Sequence, residues 1–382
     1  MLKIALVAGE MSGDLLGGAL VRALRERLPG ARFYGVTGSE MRAAGCETIA
    51  SIDALSVMGI AEVLPALPRI LRLRRSLVAR LTADRPDVVI GIDAPDFNLG
   101  LERRLRDRGL RTVHVVSPTV WAWRAGRVRT IARAVERILC LFPFEPAFYE
   151  RHGAPDKAVY IGHPLADALD AGVTPAQART ALGWPETGTV VAVLPGSRGS
   201  ELKYLAAPFA RAAALIAAQR PDVRFVTPIA KPALRQQMQS AIAAHAPDLD
   251  WTLLDGQSRE AMRAADAVLI ASGTATLECL LVGRPMVVAY RGSPLTAWLL
   301  LKAGLLKTKY VSLPNLLADE PTVPELLQDD AAPERLSAAV VELLRADGAR
   351  QRQLAAFDRV RASLRCDAAS RAATLVAGML QP

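Results

Sequence analysis

Short uninterrupted apolar runs alternate along the chain with longer stretches whose apolar positions recur every three or four residues. The runs "KIALVAG" (3–9), "RFYGVTG" (32–38), "DVVIGID" (87–93) and "RTVHVVS" (111–117) predict strands buried on both faces. Between them, Leu15 to Leu28 and Leu99 to Arg108 carry helical spacing. Strands of this type separated by helices predict a parallel sheet covered on both sides. The order restarts after a turn-rich stretch, "DAGVTPAQARTALGWPETG" (170–188), with new strands at 189–198, 222–230, 251–256, 267–273 and 285–292. The expected fold class is therefore α/β: two doubly wound, Rossmann-like domains facing a cleft. Their expected bounds are 1–170 and 171–350, followed by a helical tail over 351–382. In open sheets of this kind, ligands bind beyond the carboxyl ends of the strands.

Composition narrows the picture without deciding it. The chain has 382 residues, 51% apolar and 22% charged, which suits two globular cores and not disorder. An excess of 47 Lys+Arg over 38 Asp+Glu gives +9 and favours anionic partners, whether nucleic acid, an anionic bilayer or phosphorylated metabolites. The four cysteines are scattered without a C-x-x-C pair, so reduced thiols are expected. The first apolar run is too short for a secretory signal, and no stretch approaches the roughly 18 to 20 uncharged apolar residues that cross a bilayer. A soluble or peripheral protein on the cytoplasmic side is expected. His114, His152, His163 and His245 lie far apart with no ligand partner at i+3 or i+4, so no metal site and no cofactor is expected. Neither a P-loop nor a nucleophile elbow is present.

Chemistry gathers at strand ends. In the first half, "LVAGEMSGDLLGG" (6–18) is a strand, a glycine turn and a helix, yet the turn carries Glu10 and Asp14, with Ser12 between them. Two carboxylates repel a phosphate but suit a polyhydroxyl ligand such as a sugar. Asp14 is equally placed to cap the helix. The matching turn of the second half, "VAVLPGSRGSE" (191–201), offers Gly196, Ser197 and Arg198, which suit an anion at a helix start. A further helix start, "ASGTATLEC" (271–279), adds Ser272, Gly273 and Thr274 for a diphosphate, with Glu278 one turn on for the hydroxyls of a ribose. In "GIDAPDFN" (91–98), Asp93 ends a strand where a general base can face a hydroxyl, and Asp96 is expected to cap the next helix. Trp121 and Trp123 in "SPTVWAWR" either stack on a sugar face or pack a corner.

One helix has a second character. From Leu67 onward in 61–81, Leu67, Ile70, Leu71, Leu77, Val78 and Leu81 share a face, with Arg69, Arg72 and Arg80 opposite and Arg74 interrupting the apolar side. Such a helix either packs on its sheet or lies in an anionic membrane interface; Leu64 and two prolines precede it, and Arg74 is placed to snorkel towards headgroups. The segment 293–310 has a similar mixture and is expected to pack.

Taken with "VMGIAEVL", "LLDG", "PMVVAYR" and "KYVSLPNLLA", these motifs run in one order from residue 6 to about 318. As a set they resemble the lipid-A-disaccharide synthases. The resemblance implies a GT-B type glycosyltransferase fold and an inverting, metal-independent transfer. The implied substrates are UDP-2,3-diacylglucosamine and 2,3-diacylglucosamine 1-phosphate, and the products a β-1,6 disaccharide 1-phosphate and UDP. It implies Asp93 as general base, Glu10 as an essential acid, and Arg198, Glu278 and Asn315 on the nucleotide side. It also implies an anionic inner-membrane surface as partner, a last helix that crosses back to the first domain, and scope for a homodimer exchanging its carboxyl-terminal part. A UDP-sugar epimerase or peptidoglycan-type transferase on the same plan is the alternative enzyme, and a silent lipid- or nucleotide-binding protein the alternative outside catalysis. No nucleic-acid partner is expected, since only 121–137 joins basic residues to aromatics.

Overall fold

The computed structural model describes residues 1–55, 60–123, 125–169, 172–293, 308–345 and 348–380, with side chains throughout except at 60–64, 66 and 123. The chain divides into two compact units, Met1–Asp167 with Ser363–Pro382, and Ala168–Ala362.

The first unit is built on seven parallel strands: β1 (Lys3–Ala8), β2 (Arg32–Thr37), β3 (Glu47–Ser51), β4 (Val88–Ile92), β5 (Thr112–Val115), β6 (Arg137–Cys140) and β7 (Ala158–Tyr160). Their spatial order is β3-β2-β1-β4-β5-β6-β7, so the direction of winding reverses between β1 and β4. β1 and β4 are almost wholly buried, as their unbroken apolar sequence requires. Helix α1 (Met11–Arg27) follows β1, α2 (Ser39–Ala43) follows β2, α3 (Ile60–Asp84) connects β3 to β4, and α4 (Pro95–Arg106) follows β4. Shorter helices follow the later strands, among them α5 (Val120–Trp123), α6 (Val128–Ala134) and α7 (Glu145–Arg151). The last helix, Ala368–Leu380, lays Ala372, Ala373 and Val376 into the core beside Val21 and Leu24 of α1. Arg27 reaches across to Ser370 and Thr374 and fastens that contact.

The second unit has six parallel strands: β8 (Thr189–Leu194), β9 (Val223–Ile229), β10 (Trp251–Asp255), β11 (Ala267–Ala271), β12 (Met286–Tyr290) and β13 (Glu325–Leu327). Their order, β10-β9-β8-β11-β12-β13, repeats the plan, with the reversal between β8 and β11. Its core centres on Phe209, Phe225, Met238 and Leu269. At the start of this unit Thr174 and Gln177 form a reciprocal capping box for the helix Pro175–Ala181.

All nine strands expected from sequence are present, and β3, β6, β7 and β13 are additional. These four have between three and five residues each and too few apolar positions to stand out by periodicity. All four cysteines are free thiols. Among the described residues no helix is long and apolar enough to cross a membrane, and no three His, Cys, Asp or Glu side chains are grouped to hold a metal ion. The segment 293–310 lies almost entirely outside the described residues, as do residues 170 and 171 at the expected boundary.

Candidate active site

Glu10 and Asp93 in the first sheet, and Arg198 and Gly273 in the second, follow the carboxyl ends of the two strands between which the winding reverses, the place where such sheets open a crevice. In the first unit the register pairs Ala8 of β1 with Ile92 of β4, so the two following turns lie side by side. They touch: a Cβ on Gly9 would lie 2.2 Å from Cβ of Ala94, and only glycine lets them close up. Glu10 is the N-cap residue of α1, in extended conformation, exposed, and its side chain makes no capping bond. Ser12 is exposed on the same turn.

Asp93 is half-buried and its backbone is left-handed, φ 53°, as is that of Ala94, φ 43°. Two consecutive non-glycine residues in this region store strain of about 1–3 kcal/mol each and persist only where neighbours dictate them. Asn98 is the neighbour that does so. Its buried amide nitrogen donates to the carbonyls of Asp93 (2.8 Å), Val7 (3.1 Å) and Ile92 (3.2 Å), tying the ends of β1 and β4 into one piece. Below it, Glu102 of α4 and His114 of β5 form a fully buried pair at 2.9 Å.

Three expectations for this unit are corrected. Asp14 neither caps α1 nor faces a ligand. It is 2% exposed, and its carboxylate accepts the amides of Gly38, Glu40 and Met41 at 2.7–3.2 Å, so it caps α2 from a neighbouring element. Asp96 does not cap α4: Ala94 holds the cap position, Pro95 follows it, and Asp96 points out beside Arg127 at 3.5 Å. Arg74 does not point towards headgroups. Its guanidinium packs over Gly100 of α4, where burial first, then Arg104 and Arg75, lower its pKa.

The remaining candidates of the unit divide. Trp121 is half-buried and donates its indole N–H to Glu145 at 3.2 Å; the side chain of Trp123 lies outside the described set, as does that of Leu64. In α3 the two readings apply to different halves. Leu77, Val78 and Leu81 are buried in the core and Ile70 packs against it, whereas Leu67 is 43% exposed, with Arg69 and Arg72 exposed beside it and Leu71 half-buried.

In the second unit Leu194 of β8 pairs with Ile270 of β11, which sets the loops 195–198 and 271–274 side by side. Gly196, at φ +126°, turns the chain into the helix Gly199–Gln219, and Arg198 is the residue before that helix, its side chain 76% exposed. Glu201, which the sequence reading passed over, complicates this nest. Its carboxylate accepts the amides of Ser197 (2.7 Å) and Arg198 (3.2 Å) and pairs with the Arg198 guanidinium at 3.0 Å. An internal anion thus occupies the donors expected to meet a ligand; glutamate three residues after a cap was the signal that could have revealed it. Ser272 spends its amide on Ala289 of β12. Gly273 precedes the helix Thr274–Val282, whose first amides lack intrahelical acceptors, and Gly273 and Thr274 are exposed. Glu278 is half-buried, and burial raises its carboxyl above the ordinary range, with Arg259 opposing and Glu260 reinforcing the shift.

Asn315 is a fourth correction. It is 2% exposed, its nitrogen donates to the Val323 carbonyl (3.0 Å) and Glu325 (2.9 Å), and its oxygen accepts the Val323 amide (2.7 Å). It braces the loop before β13 and has little left to offer a ligand. Glu325 shares this task, accepting the amides of Val311 and Ser312.

Solved structures with this architecture match 95–99% of the chain. A UDP-GlcNAc 2-epimerase from Neisseria meningitidis bound to UDP-GlcNAc is similar at TM-score 0.64 and 14% identity, over 95% of this chain and 99% of that one. The glycotransferase of kitacinnamycin is similar at TM-score 0.61 and 20% identity, over 99% of both. The two doubly wound units, each with a reversal of winding in its parallel sheet, have the architecture of the GT-B type fold. Among sequence relatives, a lipid-A-disaccharide synthase of Pseudomonas aeruginosa (strain UCBPP-PA14) is 51% identical over 380 residues, 100% of this chain and 98% of the relative. That of Photobacterium profundum is 47% identical over 379 residues, 99% of this chain and 98% of the relative. The family model described as lipid-A-disaccharide synthetase matches residues 4–378. The chain belongs to the lipid-A-disaccharide synthetase family.

Proposed function

We propose that the chain transfers 2,3-diacylglucosamine from UDP-2,3-diacylglucosamine to 2,3-diacylglucosamine 1-phosphate, releasing UDP and forming a β-1,6 disaccharide 1-phosphate. The observation that carries this reading is the opposite chemistry of the two winding reversals. Glu10 and Asp93 present carboxylates at one; at the other, the exposed Arg198, which Glu201 pairs from within the same turn, and the helix start at Gly273 and Thr274 present cationic and amide donors. A diphosphate belongs with the donors and a neutral hydroxyl with the acids.

The acceptor 6-hydroxyl gives its proton to Asp93 while its oxygen attacks the donor sugar carbon from the face opposite UDP, which inverts that centre in one step. Charge developing on UDP is met by Arg198 and by the amides at the helix start, without a metal ion, and Glu278 takes the ribose hydroxyls. Glu10 holds the acceptor sugar or orients Asp93. The fixed backbone of Asp93, set by Asn98, supplies orientation before substrate arrives.

Acylated substrates reside in a bilayer, and the exposed Leu67, Arg69 and Arg72 of α3 suit an anionic inner-membrane surface reached from the cytoplasm. A homodimer with exchanged carboxyl-terminal parts is compatible with this reading. The test is incubation with both acylated glucosamines in the presence of a chelator, scored for UDP and a disaccharide phosphate. Turnover of unacylated UDP-N-acetylglucosamine alone would favour the epimerase reading and sink this one.

A further inference from the structure

The proposed displacement leaves one deeply buried carboxyl of the same sheet edge without a task. Glu145 opens α7 just beyond the end of β6 and is 1% exposed. Its Oε1 accepts the indole N–H of Trp121 at 3.2 Å and its Oε2 accepts the Phe142 amide at 2.9 Å. The buried Ser117 hydroxyl meets the Tyr149 hydroxyl at 3.1 Å.

What this carboxyl holds is an aromatic cluster. Trp121 stands edge-on to Phe142 (6.4 Å, 83°) and to Phe144 (5.2 Å, 88°). Phe142 stacks on Phe144 at 5.8 Å and on His163 at 5.6 Å. Trp121, Phe142 and Phe144 are each half-buried, whereas Glu145, Ser117 and Tyr149 behind them are buried. The rings follow the ends of β5, β6 and β7, on the same edge of the sheet as Glu10 and Asp93. Backbone strain marks the place too: Val116, a β-branched residue, is held at φ +77° just before Ser117.

We infer that Glu145 is a positioning residue for the acceptor side: by anchoring the Trp121 indole it fixes a partly open aromatic wall against which the apolar face of the acceptor sugar packs. The inference rests on the proposed function, which gives the first unit to the acceptor. Aromatic faces are a common answer to sugars because C–H groups on one face are apolar, and a ring free to rotate loses that complementarity. The titratable groups facing Glu145 are Cys140 of β6 and Tyr149 of α7, with His163 beyond Phe142. Burial pushes the Glu145 carboxyl up to about 7, so the acceptor for the indole N–H weakens as pH falls through neutrality.

The test uses the full chain with ¹⁵N-labelled indoles, the Trp121 resonance being assigned by its loss in Trp121→Phe. In the wild type this N–H resonance shifts with a midpoint near pH 7, and in Glu145→Gln, which keeps the shape of the side chain, it does not. Glu145→Gln raises KM for 2,3-diacylglucosamine 1-phosphate about tenfold and leaves donor KM and kcat within about twofold. Trp121→Phe raises the same KM, and the double variant is no worse than the worse single one. An indole shift that persists in Glu145→Gln, or additive effects in the double variant, overturns the inference. A wild-type chain inactive on the acylated pair overturns the proposed function and, with it, the acceptor role. An active wild type with acceptor KM unmoved in Glu145→Gln overturns this inference alone.

Discussion

Replacing Asn98 with alanine tests whether the geometry of Asp93 is imposed from outside. The amide nitrogen of Asn98 has two protons and three carbonyls within 3.2 Å, those of Val7, Ile92 and Asp93. Each bond contributes about 1 kcal/mol net, and a buried carbonyl left bare costs about 1–3 kcal/mol. A loss of roughly 2–4 kcal/mol follows for Asn98→Ala. For a unit of this size each kcal/mol lowers the melting temperature by about 2–4 °C, so the first transition should fall by roughly 5–15 °C. The effect on turnover is separate. Without the amide, the left-handed pair Asp93 and Ala94 relaxes, and a displacement of about 1 Å in a catalytic group lowers rate about 100-fold. Assayed well below its melting temperature, Asn98→Ala should lose roughly 10- to 100-fold in kcat with KM nearly unchanged. Asn98→Asp, which turns an acceptor towards three carbonyls, should be less stable still. Full kcat together with a melting temperature within about 2 °C of wild type would refute the reasoning.

Three further expectations can be checked directly. Glu201 competes as an internal anion for Arg198 and the neighbouring amides, so Glu201→Gln should tighten UDP binding by roughly 3- to 10-fold in calorimetry; weaker binding would mean that Glu201 holds Arg198 ready for the ligand. Burial lowers the His163 pKa to about 4 from an ordinary 6.5, so the unfolded chain takes up a proton first. Stability from this group is present above pH 6.5 and lost as pH falls towards 4, about 3 kcal/mol in all, and His163→Gln should flatten acid unfolding across that window. Reversing Arg69 and Arg72 to glutamate should cut binding to anionic vesicles by at least about 30-fold, at about 1 kcal/mol for each arginine, and added salt should shrink the difference; equal binding of variant and wild type would remove α3 from the membrane surface.

Much of this architecture was legible because it rests on local pattern. The unbroken apolar runs of β1, β4, β8 and β11 announced buried parallel strands, and the turns after them carried Glu10, Asp93, Arg198 and Gly273 in plain view. What escaped notice depends on partners far along the chain. Asp14 looked like either a sugar-binding carboxylate or a cap for its own helix because its true partners, Gly38, Glu40 and Met41, lie at least 24 residues on. Asn98 reads as one more residue in a helix start until Val7 is known to stand beside it. Asn315 was placed on the nucleotide side by the family resemblance alone, and only the fold reveals that Val323 and Glu325 consume its amide. Glu145 gave no sign at all, since its role depends on bringing β5 and β6 together. In α3 the apolar stripe was real, but one pattern served two neighbours, the core at its end and the surface near Leu67.

The asymmetry between the two winding reversals is tested most directly by titrating UDP into the wild type, Arg198→Ala and Asp93→Asn by calorimetry. Loss of a charge-assisted bond to phosphate of about 1.5–3 kcal/mol predicts binding weaker by roughly 10- to 100-fold in Arg198→Ala. In Asp93→Asn affinity should stay within about twofold while turnover collapses. UDP binding that survives in Arg198→Ala but fails in Asp93→Asn would put the nucleotide at the acidic reversal and contradict the account.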